Sequence, residues 1–306
     1  MKYNNFFGKF KKPLGYVVVV IIFFFLLKSL IANWQEIHWA ELNFNFLYLV
    51  LFFLFFCLSF IFGVWGWNLI LAGMGYKISF KKSLKIIAAS QLTKYVPGRI
   101  WIALGRAYLA EKEQISKSKS VSSVILETQL LFLAALFSYF VTYAFGFSQN
   151  ILGLKIHPLI PAGLAILLLY PAWSEKMVAV IAKILKREYY PAHIGYKNFL
   201  VIFLVYLLNW VIQGLAFFSL LNSIYALNFS YLPYIVSSYI LAWMIGFIVI
   251  FTPGGLGIRE GALTYLLKFV MPLPVAIALS FFSRILITVS EIIFLLVSLK
   301  LKDQRE

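Results

Sequence analysis

Two short stretches put arginine beside a Pro-Gly pair in otherwise apolar surroundings. The first runs from Lys94 through Pro97, Gly98 and Arg99 to Arg106; the second runs from Phe251 through Pro253, Gly254, Gly255 and Gly257 to Arg259, Glu260 and Gly261. Pro97 precedes Pro253 by 156 positions, about half the chain. Proline removes an N–H and glycine admits positive φ, so each stretch breaks a helix and leaves backbone polar groups without helical partners. At membrane depth such groups face protein, water or ligand rather than lipid tails. A helix starting near Gly257 aims its first N–H groups at the break, and with Arg259 beside them the result is an anion receptor. Arg99 and Arg106 offer the same from the other half. A guanidinium binds a phosphate diester through paired hydrogen bonds, so the ligand that fits is a lipid phosphate or pyrophosphate. The competing reading makes the Pro/Gly motifs packing kinks and the arginines structural ion pairs with Glu260.

Other charges lie within apolar runs: Glu127, Arg284 and Glu291. Arg284 and Glu291 are seven apart, hence on one face of a helix, and can pair with each other or with a neighbour. Glu127 is either a proton site or the partner of Arg106, because intramembrane charge is costly and is kept for function or paired. Enzyme signatures are absent: there is no His-Glu-x-x-His, no Gly-x-Ser-x-Gly and no P-loop, and His38, His157 and His193 fall in separate loops or span ends. No cofactor or metal site is expected. The one cysteine, Cys57, reads as a small core residue. The aromatic residues read mostly as lipid-facing or interfacial packing.

The elements that must position these residues are membrane helices. With 62% hydrophobic residues and a mean hydropathy of +0.90, the chain carries more apolar surface than a soluble core can bury. The net charge of +16 does not point to nucleic acid, because Lys and Arg lie mainly in short segments between apolar runs, where they set topology and meet anionic headgroups. Apolar runs at about 14–31, 46–74, 121–147, 156–173, 199–221 and 275–299 predict six spans. The pieces 84–96 and 100–110 are each too short for the roughly 20 residues of a span, and with lysines on both sides they predict a re-entrant helical hairpin whose tip is Pro97-Gly98. Residues 233–251 are long enough to cross alone, but residues 262–271 are not. A second hairpin, entered from outside, keeps Lys300, Lys302 and Arg305 cytoplasmic. A basic amphipathic segment over 174–190 lies on the cytoplasmic surface. This topology puts about 19 of the 27 Lys and Arg on one side.

The fold class is therefore an all-α polytopic membrane protein with six spans and two Pro-Gly re-entrant hairpins. It forms a single transmembrane domain in the cell membrane with both termini cytoplasmic. Span, span, hairpin, span occurs twice, from opposite faces, which predicts an inverted repeat of about 1–147 and 148–306. In that architecture transporters place broken-helix sites near the midplane.

Lys94-Tyr-Val-Pro-Gly-Arg-Ile-Trp with Arg106, then Pro253-Gly-Gly-Leu-Gly-Ile-Arg-Glu-Gly261 with Arg284 on the last helix, resembles the flippase-like transmembrane domain of lysylphosphatidylglycerol synthases, also seen in stand-alone membrane proteins. The resemblance covers most of the chain and implies movement of lipids with charged headgroups between leaflets. These residues include no aminoacyltransferase domain, so lysyl-lipid synthesis is not implied. The expected cargo is a phospholipid or a polyprenyl-phosphate glycolipid. The phosphate is expected at Arg99, Arg106, Arg259, Glu260 and the backbone of Pro253, Gly254, Gly255 and Gly257, supported by Lys94, Pro97, Gly98, Glu127, Arg284 and Glu291. Two alternatives stand beside a translocase. One is a non-transporting scaffold or accessory subunit, partnered by a glycosyltransferase or by a second copy of the chain. The other is an intramembrane lipid enzyme using Glu260 or Glu127 as base.

Overall fold

The computed structural model describes residues 44–95, 100–146, 194–249 and 252–300, with single positions elsewhere. The expected spans 14–31 and 156–173, most of the amphipathic segment 174–190, Lys302, Arg305, and the first tip with Pro97, Gly98 and Arg99 lie outside the described residues. Eight helices are described: α1 (Phe46–Gly73), α2 (Phe80–Gln91), α3 (Ile100–Glu111), α4 (Lys117–Gly146), α5 (Tyr196–Asn222), α6 (Leu232–Ile248), α7 (Ile258–Leu267) and α8 (Leu273–Lys300). Five are long and apolar enough to cross a membrane: α1, α4, α5, α6 extended by the 3-10 turn Phe229–Tyr231, and α8.

Local chemistry sets the ends of these helices. The Asn45 side chain caps α1, accepting from the Leu47 and Tyr48 amides at 3.1 and 3.4 Å. The α1 helix stops ahead of Gly75, whose φ is +87°. Ser79 caps α2 and Ser116 caps α4. Pro233 and Pro274 sit in the first turns of α6 and α8, where a missing N–H costs nothing. The α7 helix begins inside the charged motif rather than at the apolar run after it, so Arg259 and Glu260 belong to its first turn.

The α1 and α5 helices lie antiparallel along their whole length. The Asn45 amide donates to the Ser223 carbonyl at 2.8 Å. Gly66 faces Tyr206 so closely that a Cβ would sit 2.6 Å from its ring, and Gly73 faces Ile194 in the same way. The α2 and α3 helices have 12 residues each, so each reaches only about 18 Å. They pack on one another, and Lys82 near the start of α2 pairs with Glu113 just after α3. The chain thus enters and leaves this unit at one end. The α6 and α7 helices form the second such unit: the Tyr234 hydroxyl at the start of α6 donates to the Leu266 carbonyl at the end of α7 at 2.7 Å.

The core runs through α4, α5 and α6, with Trp210, Tyr206, Leu130 and Ile240 almost wholly buried. One reading of the sequence is corrected here. Cys57 is exposed, on the α1 face that also presents Leu54, Leu58 and Ile61. Because α1 is apolar all round, its run does not reveal which side meets protein. Among the aromatic residues, Trp67, Tyr206, Trp210 and Tyr239 are buried in the core, each closing a polar or close-packed contact that the pattern does not encode.

Candidate functional site

Gly254 and Gly255 form a 3-10 turn with Pro253, at φ +56° and +73°, and Gly257 caps α7 at φ +80°. Only glycine takes such values without strain. Space requires it too. A Cβ on Gly254 would lie 3.0 Å from Arg284 Nη2 and 3.4 Å from the Lys94 carbonyl oxygen, and one on Gly255 would lie 3.0 Å from the Gly246 carbonyl oxygen. The second break therefore packs directly on the 3-10 turn Leu92–Tyr95 that ends the first broken unit's leading arm.

Around this junction the charges form a network. Lys94 pairs with Glu291 on α8, 197 residues away. Arg284, two turns earlier on α8, donates to the Gly254 carbonyl at 3.0 Å and lies 3.7 Å from Glu260. Glu260 also accepts the Gly257 amide at 2.6 Å. The expected anion receptor at the start of α7 is thus capped by its own third residue, a carboxylate favoured there by the helix dipole. Arg259 turns away from Glu260 and stands over the Tyr239 ring, 4.7 Å from its centroid. It is half-buried. Arg259 and Arg284 both act on the Lys94 ammonium electrostatically. Three cations and two carboxylates meet here. Arg284 and Glu291 each lie about 14–17 Å along α8 from its nearer end, so the network sits away from both ends of that apolar helix.

Arg106 lies apart from this junction. It pairs with Glu127, with side-chain exposures of 4% and 10%. It also reaches Ser90 Oγ at 3.4 Å and lies 5.0 Å from the centroid of the Trp67 ring. The Trp67 indole N–H donates to Ser123 at 3.0 Å, and the Tyr206 phenol lies within electrostatic reach of the pair. The partner expected for Arg106 is therefore present, while the structural pairing expected for Arg259 with Glu260 is not. Glu260 takes Arg284 instead, because an arginine next to a carboxylate in sequence points about 100° away from it around the helix. Arg284 and Glu291 each find a neighbour rather than one another. Sequence reasoning missed Tyr239, Trp67 and Ser90; an aromatic about twenty residues before Arg259 carries no local signal.

The junction thus brings Lys94, Arg259 and Arg284 within electrostatic reach of one another, with Glu291 and Glu260 pairing two of them. Among the described residues no group of three His, Cys, Asp or Glu side chains is assembled for a metal. A search of curated proteins finds no match to the chain. A sequence model of the lysylphosphatidylglycerol synthase TM region matches residues 14–294, and the chain belongs to that family of membrane domains.

Proposed function

We propose that the chain is a lipid translocase that moves a lipid with a phosphate-containing headgroup between leaflets. The observation that carries this reading is the approach of Lys94, from the first broken unit, to Gly254, Arg259 and Arg284 around the second. It gathers three cations at depth, where uncompensated charge is expensive and an incoming phosphate is strongly favoured. Arg259, half-buried and standing over an aromatic face rather than a carboxylate, is the cation best able to take the phosphate. Lys94 and Arg284 complete the site, with Arg99 expected at its edge. Arg106 is not a phosphate ligand in this account, since its side chain is 4% exposed and enclosed by Glu127, Ser90 and Trp67.

We read the two broken units as re-entrant hairpins of an inverted repeat with six spans, in the cell membrane with both termini cytoplasmic. Support comes from packing that is unchanged when the halves are exchanged. The α2 arm lies on α8 and α6 lies on α4, so each leading arm meets the last span of the other half. The α3 arm lies on α4 and α7 on α8, so each trailing arm meets its own. The ion pairs follow the same rule: Arg106 precedes Glu260 by 154 positions and Glu127 precedes Arg284 by 157, close to the separation of the two Pro-Gly pairs. Rocking of one half on the other exposes the junction to each leaflet in turn while the acyl chains stay in lipid.

We also propose that the chain is not an enzyme. Glu127 and Glu260, the candidate bases, are each already engaged by an arginine. The second reading, a scaffold for a glycosyltransferase system or a second copy, is favoured by one observation: every carboxylate of the junction is already paired, as a purely structural network requires. Purified protein in liposomes decides between them. A translocase moves a reporter phospholipid by itself, whereas a scaffold leaves it in its original leaflet.

A further inference from the structure

We propose that Glu291 is an internal competitor for the headgroup phosphate, and that its ion pair with Lys94 is a gate which phosphate binding opens. This rests on the phosphate-site reading above. Lys94 belongs to the 3-10 turn Leu92–Tyr95 and Glu291 to α8, so their pair clips one half of the chain to the other. The Lys94 side chain is 16% exposed and that of Glu291 5%, so the lysine is the more open partner. Arg259 and Arg284 repel the same ammonium, so Lys94 needs an anionic partner. In the empty protein that partner is the Glu291 carboxylate. A phosphate bridging Lys94 and Arg259 competes for the same ammonium and offers more oxygens, so it takes Lys94 and frees α8 from the turn. Headgroup binding and separation of the halves become one event.

By the offset of the two Pro-Gly pairs, the positions matching Lys94 and Glu291 are Ile250 and Ala135, both apolar, so the sequence does not repeat this ion pair in the second half.

The full chain, purified in nanodiscs, is tested with dihexanoyl phosphatidic acid as the probe. Glu291→Gln removes the competing charge and is expected to bind the probe roughly tenfold more tightly than wild type, the scale of one lost charge-assisted contact. Opening is read separately. In a Cys57→Ser background, Thr252→Cys places a thiol at a position that is 1% exposed. A small water-soluble thiol reagent is expected to label it slowly in the resting protein, several-fold faster with the probe, and fast without the probe once Glu291→Gln is added. If Glu291→Gln does not fold, Glu291→Asp, which shortens the reach of the carboxylate, must change binding and labelling in the same direction by less. An Arg259→Ala protein that loses the probe, alongside a Glu291→Gln protein that binds and labels like wild type, overturns the gate and leaves the phosphate site standing. An Arg259→Ala protein that binds like wild type overturns both.

Discussion

In the first broken unit the trailing arm supplies the cation, Arg106, and the following span supplies the carboxylate, Glu127. In the second the arm supplies the carboxylate, Glu260, and the span supplies the cation, Arg284. The pairs occupy equivalent places with their charges interchanged, and what surrounds them differs. The first is lined by Trp67 and Ser90, with Tyr206 within electrostatic reach. The second is preceded by glycines at positive φ, adds Arg259 on an aromatic face, and borrows Lys94 from the other half. One pair fastens an arm to its span, and the other does so while keeping positive charge in reserve. Two arginines that look alike in sequence therefore divide into one paired with a carboxylate and one, Arg259, that our proposal makes the ligand-binding residue.

Substitutions can break that contrast. The largest effect is expected from Glu127→Ala, which strands Arg106 as a buried uncompensated charge and should cost about 3–5 kcal/mol of stability. Replacing both partners, as Arg106→Met with Glu127→Leu, should return most of that loss, and thermal unfolding in detergent compares the two. Gly254→Ala should cost about 1–2 kcal/mol, because its left-handed backbone and the Arg284 guanidinium both exclude a Cβ. Gly63→Ala, with nothing within 4 Å of its added methyl, should be neutral in the same assay. Arg259→Ala should lose no more than about 1 kcal/mol of stability through its ring contact, while lipid binding falls at least tenfold. The exposed pair Glu111–Lys117 sets the floor: Glu111→Ala should shift stability by less than about 1 kcal/mol and leave lipid binding unchanged.

Much of the fold was legible because membrane helices announce themselves by length. The runs 46–74, 121–147, 199–221 and 275–299 differ from the observed helices by a few residues at the ends, and the short arms 84–96 and 100–110 stand out by being too short to cross. Faces were less legible. Cys57 was expected in the core and lies outside it, since a helix that is apolar all round carries no pattern to orient it. Partners were the least legible. The Lys94–Glu291 pair joins residues 197 apart, and nothing local distinguishes Glu260, which caps its own helix, from a carboxylate free to meet Arg259.

The most direct measurement is reporter-phospholipid translocation by the purified chain in proteoliposomes, comparing wild type, Arg259→Ala, and Arg106→Met with Glu127→Leu. The account predicts that Arg259→Ala slows translocation at least tenfold, while the doubly substituted protein moves lipid within about twofold of wild type. Arg259→Ala moving lipid as fast as wild type would contradict it.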